Sequence, residues 1–117
     1  VRKLRIGKTV DLLGEPQKIV EGKAKRDMVI RDLIVNLYPV LEGQKGSSLI
    51  ITDTVLKIRN CKEEWIKLET HDYDVLKSAL LSAKLLAWVE TALVKAFEET
   101  EALDQKEEAK EKKEADG

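Results

Sequence analysis

The stretch "SALLSAKLLAWVETALVKAF", residues 78–97, decides how this chain folds. It reads as part of one long helix running from about Asp72 to about Thr100. At ~1.5 Å per residue such a rod is roughly 40 Å long. With ~100° between successive residues, Val75, Ala79, Leu86, Val89, Leu93 and Phe97 share one side, the expected core face against the first helix. Leu81, Leu85, Trp88 and Ala92 share another, at i, i+4, i+7 and i+11, with Lys77, Lys84 and Lys95 beside it.

An ordinary surface helix has one apolar stripe and a polar back. The second stripe therefore needs a cover. Either it packs under the N-terminal arm or the second helix of its own chain, or it packs on another chain, a second copy or a different protein. Left in water, each leucine forgoes about 1.5–3 kcal/mol of burial. Tryptophan is enriched at interface hot spots, and lysine stems cover apolar surface at a rim. The stripe is accordingly expected to be an oligomer or partner seam made by Leu81, Leu85, Trp88, Ala92, Lys84 and Lys95.

Upstream, "LRIGKTVDLLGEPQKIVEG" mixes β-branched residues with Gly7, Gly14, Pro16 and Gly22, which predicts short strands and turns, with a turn at Gly14-Glu15-Pro16. "RDMVIRDLIVNLYPVLEG" predicts a first helix capped by Asp27. Its apolar face is Ile30, Leu33, Ile34, Leu37 and Leu41, and Pro39 ends or kinks it near Tyr38. "SSLIITDTVLKIRNC" is ambiguous. Its β-branched residues favour a strand, but Ile51, Val55 and Ile58 fit one helical face, and helix is the reading adopted. "EEWIKLET" predicts a strand pairing with residues 3–6 or 9–12. Thr70 then caps the long helix, with Asp72 and Asp74 suited to its positive end. "DQKEEAKEKKEADG" has no large apolar residue, so a frayed helix or a disordered tail is expected there.

The fold class expected is α+β, mainly α. It comprises an N-terminal β arm over residues 1–23, three helices ending in the long one, one short strand, and a charged tail. Residues 1–103 form one small domain, mainly helical over 24–103, and 104–117 form the tail. A chain of 117 residues and 13.2 kDa suits one modest core, and 4% aromatic content makes that core aliphatic.

Charge is divided along the chain. Residues 1–31 hold nine Lys/Arg against four Asp/Glu, and residues 98–117 hold nine Asp/Glu against four Lys, although the net charge is -1. Both ends read as solvated segments. The alternative is nucleic-acid binding through Arg2, Lys3, Arg5, Lys8, Lys23, Lys25 and Arg26. No aromatic residue lies among them to stack on bases, and no helix-turn-helix pattern stands out.

Catalytic patterns are missing. One His and one Cys do not supply a zinc site, so no metal or cofactor is expected. His71 reads as a surface residue at a helix start, and Cys61 as a small apolar residue at an element edge. "GQKGSS" lacks the spacing of a phosphate-binding loop. The expectation is a protein that is not an enzyme. A single Cys fits a reducing compartment, no apolar run is long enough to span a bilayer, and "VRKLRIGKTV" has no apolar core of a signal peptide. A cytoplasmic protein is expected, without membrane partners.

"VDLLGEPQKIVEGK", "VIRDLIVNL", "VLKIRN" and "WIKLETHDYDVLKSAL" together resemble a layout in small proteins of phages and prophages. Those carry a Gly-Glu-Pro-x-Lys turn, a Leu-rich helix, a further helix, and a short strand ahead of a C-terminal helix. The resemblance covers roughly residues 9–97, and the long C-terminal helix and charged tail depart from it. It implies a virus-encoded accessory or assembly protein that acts through protein contacts in the host cytoplasm, with no catalytic motif to carry over. The second apolar stripe, and not this resemblance, makes a homo-oligomer or a complex with another protein the expected working state.

Overall fold

The computed structural model describes the backbone of residues 1–116 and the side chains of residues 1–107. It is an α+β fold, mainly helical. Strands β1 (Arg2–Arg5), β2 (Asp11–Leu12), β3 (Glu15–Pro16), β4 (Lys18–Glu21) and β5 (Ala24–Asp27) precede α1 (Ile30–Leu37). A 3-10 turn over Tyr38–Val40 follows, then α2 (Ser48–Asn60), β6 (Trp65–Leu68), α3 (Thr70–Ser82) and α4 (Ala87–Asp116).

β6 pairs antiparallel with β1 in the register Arg2↔Leu68 to Arg5↔Trp65, as its composition predicted. Gly7 extends this pairing by donating to Glu64 O at 2.9 Å. A Cβ there would stand 2.9 Å from Glu64 Cα, so the close approach requires glycine. β2 and β3 form one hairpin, and β4 and β5 a second. The first turns at Leu13-Gly14, both with positive φ (51° and 88°), so Glu15 and Pro16 lie in β3 and not in the turn. Hydrogen bonds from Val10 N–H to Met28 O and from Gln17 N–H to Val10 O, both 2.8 Å, tie the hairpins together. The arm reaches Asp27, beyond the expected limit at residue 23.

α1 buries Ile30, Leu33 and Ile34, the face its spacing predicted, and ends at Leu37, where Pro39 disfavours further α-helix. Asp27 does not cap it: that residue lies in β5 opposite Lys18, with which it forms an ion pair. Asp32, in the first turn, instead reaches back to accept the Val29 N–H at 3.0 Å. α2 is helical despite its β-branched residues because Ile51, Thr54, Val55 and Ile58 all face the core, and packing outweighs a weak propensity.

The single rod over 72–100 is not formed. α3 ends at Ser82, Ala83 is extended (φ -74°, ψ 149°), and α4 begins at Ala87, which makes four α-helices among the described residues and not three. The physical reason is a change of phase. α3 buries Tyr73, Leu76 and Leu80, while α4 buries Val89, Leu93, Ala96 and Phe97. On one straight helix these two faces would point roughly 150° apart. Only a bend turns both onto the one core they share with Leu4, Ile6, Ile30 and Ile34. The expected face was therefore correct for Val89, Leu93 and Phe97, but Val75 and Ala79 are only half-buried and Leu86 is 68% exposed.

Residues 104–107 belong to α4, and Asp104 and Glu107 are ion-paired to the arm, so the tail begins as helix, one of the two forms expected of it. Gly117 and the side chains of 108–116 lie outside the described residues. Among the described residues no helix is long and apolar enough to cross a membrane.

Candidate interaction site

The bend between α3 and α4, residues Ala83–Leu86, closes one end of an open cleft of about 810 Å³. One wall is the outer face of α3, where His71, Asp74, Val75, Ser78, Ala79 and Ser82 recur at i, i+3, i+4, i+7, i+8 and i+11. The opposite wall is the loop Val40–Ser47 with Ile51 of α2 behind it. Gly43 lets this loop lie close to α2, since a Cβ there would stand 3.1 Å from Ser48 Cα and crowd its Oγ. Its lining is mixed: Val40 (59% exposed), Ile51, Val75, Ala79 and Ala83 are apolar, and Glu42, His71, Asp74 and Lys84 are polar or charged. A lining of this mixed kind can bury apolar groups while offering polar contacts beside them.

The bend divides the six residues expected to form one seam. Leu81 is 37% exposed in the last turn of α3, and Lys84 lines the end of the cleft. Leu85 and Trp88 are half-buried against the chain's own core. Ala92 and Lys95 border a crevice of about 50 Å³ shared with Lys8, Thr9 and Ile30 of the same chain. As a continuous stripe the seam is thus absent, and part of it lies under the N-terminal arm. Leu86, which the periodicity assigned to the core, is the exposed apolar residue of the bend. Nothing local in the sequence marks this exchange, because the phase jump comes from the bend.

The basic arm is matched to the acidic helix. Arg2 pairs with Asp104 at 3.0 Å, Lys3 with Glu107 at 3.2 Å, and Glu99 takes both Arg5 at 3.3 Å and Lys8 at 3.4 Å. Arg5 also pairs with Glu64 at 2.8 Å, which holds its guanidinium firmly charged. Thr100, fully buried, donates from Oγ1 to Lys3 O at 2.9 Å and anchors this contact. Arg26 engages both oxygens of Asp32 at 2.7 Å and Glu21 at 2.8 Å. This fork, with the Val29 N–H, holds the Asp32 carboxyl below the usual carboxylate range. Five of the seven cations proposed for phosphate binding are thus engaged by carboxylates, and Lys23 and Lys25 are exposed around the β4–β5 hairpin.

His71 is exposed on the rim of the cleft, and Cys61 is half-buried at the end of α2 with its Sγ 4.0 Å from Trp65 O. Among the described residues no group of three or more His, Cys, Asp or Glu is placed to hold a metal ion. In comparisons with known proteins, the chain matches no family model, no curated protein and no solved structure.

Proposed function

We propose that this chain is a non-catalytic interaction or assembly protein that binds another polypeptide at the α3–α4 bend and the cleft beside it. The observation that carries this reading is an open cleft lined by Val40, Ile51, Val75 and Ala79 and ended by Ala83 and Lys84 of the bend, the segment that also carries the exposed Leu86 and follows the exposed Leu81. Exposed apolar side chains and an apolar-lined groove both lower the free energy when another surface covers them. The resemblance of the sequence layout to small phage and prophage proteins favours a role in viral assembly or host takeover, in the cytoplasm. Nucleic-acid binding has weaker support, because a polyanion would first have to displace the carboxylates that hold Arg2, Lys3, Arg5 and Lys8.

A photo-crosslinking residue placed at Leu86 tests the reading in cells that make the protein. A discrete adduct is expected, lost when Leu81→Glu is added. A surface that yields no adduct, or one insensitive to Leu81→Glu, is not the docking face.

A further inference from the structure

The bend has a local composition that favours the opposite conformation. Ala83-Lys84-Leu85-Leu86-Ala87 contains only strong helix formers, with neither Gly nor Pro. The helix ends here without a stop signal: Ala83 N–H makes only a 3.4 Å bond to Leu80 O. Contacts on either side impose the bend, chiefly the burial of α4 against the arm and α1.

We infer that the bend straightens and that the partner which then receives α4 is a second copy of this chain. The inference rests on the proposal that the bend is the contact surface. On a straight helix the core face of α3 (Tyr73, Leu76, Leu80) and that of α4 (Val89, Leu93, Phe97) point roughly 150° apart. If α3 stays in its own body, α4 is carried away from it. The face it then presents fits one seat without change, the place vacated by α4 in another copy. The fit includes charge. Asp104 and Glu99 need cations at the spacing of Arg2, Arg5 and Lys8, and Thr100 Oγ1 needs the Lys3 carbonyl. Reciprocal exchange of α4 closes as a two-fold dimer and leaves no unsatisfied copy.

Straightening also accounts for the second apolar stripe. Leu81, Leu85, Trp88 and Ala92 fall within about 60° of one another only when the helix is continuous. They then lie together on a third side of the rod, between the two core faces, as one strip that a second copy can cover. In the bent chain the same residues are scattered: Leu81 is exposed, Leu85 and Trp88 turn inward, and Ala92 faces the arm.

Lys84→Pro tests the inference. Ala83, at ψ 149°, already has the conformation that precedes proline, and among the described residues Lys84 N–H donates no backbone hydrogen bond. Proline is therefore compatible with the bend and incompatible with a straight helix. Lys84→Ala controls for loss of the side chain. Light scattering of wild-type protein refolded at high concentration is expected to give twice 13.2 kDa. Lys84→Ala should do the same, and Lys84→Pro should stay at 13.2 kDa with an unchanged circular dichroism spectrum. In mixed samples of differently labelled wild-type chains, NMR cross-peaks should join Tyr73 of one copy to Phe97 of the other, a contact made within the bent chain. A wild-type protein that stays monomeric overturns the inference, and so does a Lys84→Pro protein that still dimerises. A dimer that survives Lys84→Pro but dissolves with Leu81→Glu and Leu86→Glu keeps the bend as a contact surface and removes only its straightening.

Discussion

The rings of Tyr73 and Phe97 meet edge to face, with centroids 5.7 Å apart and planes at 88°, and the Tyr73 hydroxyl donates to Phe97 O at 3.4 Å. This pair joins α3 to α4 across the bend, and both residues are almost fully buried. Phe97→Ala should remove about 3–5 kcal/mol of stability, because it leaves a cavity where the two helices meet. Tyr73→Phe keeps the ring contact and should cost only about 0.5–1.5 kcal/mol, the contribution of one hydrogen bond. Urea unfolding followed by circular dichroism measures both.

Burial pushes the Tyr73 phenol well above its usual value, with Glu101 adding to the rise and Arg2 opposing it. The folded chain therefore keeps a proton that the unfolded chain releases near pH 10. This contribution to stability is complete below pH ~10 and falls as pH rises beyond it. Stability measured from pH 9 to 11 should decline less steeply in Tyr73→Phe than in the wild type. Parallel slopes would show that Tyr73 does not govern the alkaline limit.

Asp32 should govern part of the acid limit. Its carboxyl is held low, first by Arg26 and then by the Val29 N–H, against the opposing effect of burial. A depressed carboxylate contributes stability that is present above the unfolded value near pH 4 and is lost as pH falls through the lower folded value. Asp32→Asn removes the charge from the Arg26 fork. It should cost roughly 1.5–3 kcal/mol at pH 7 and progressively less as acid protonates the wild-type group. Thermal melts of the two proteins between pH 2 and 7 should converge at the acid end.

The pairing of the arm with α4 should depend on salt. Glu99 accepts from Arg5 and Lys8 at a partly exposed site, so Glu99→Gln should cost less than about 1 kcal/mol in dilute buffer. The cost should shrink further above about 0.5 M salt, where screening acts within a few ångströms. Melting temperatures across a salt series give the answer. A cost that does not respond to salt would mean that Glu99 acts through packing.

Leu13 sits at the tip of the β2–β3 hairpin with φ 51° and is 98% exposed. A leucine in the left-handed region is strained, and here no burial offsets the strain. Leu13→Asn should therefore stabilise the isolated chain by about 1 kcal/mol, as asparagine tolerates this conformation. Differential scanning calorimetry would record the rise in melting temperature, and a fall would show that Leu13 makes a compensating contact.

Much of the fold was legible in residue order because it depends on local pattern. The apolar spacing of Ile30, Leu33 and Ile34 located α1, Pro39 its end, and "WIKL" the strand that pairs with β1. The division into a basic start and an acidic end was equally plain in the sequence. That Asp104 would lie beside Arg2, 102 residues away, and that the two charged ends would hold each other, was decided by the packing of α4 on β1.

The bend marks the boundary between what sequence and tertiary structure determined. Ala83-Lys84-Leu85-Leu86 favours helix, and periodicity counted through it assigned Leu86 to the core and aligned Leu81, Leu85, Trp88 and Ala92 as one seam. The sequence by itself set the apolar content of the two helices and their individual faces. Tertiary structure alone set the angle between them, because one small core accepts Tyr73 and Phe97 together only if the backbone turns between them. The free energy of that shared burial exceeds the small helix propensity of four residues.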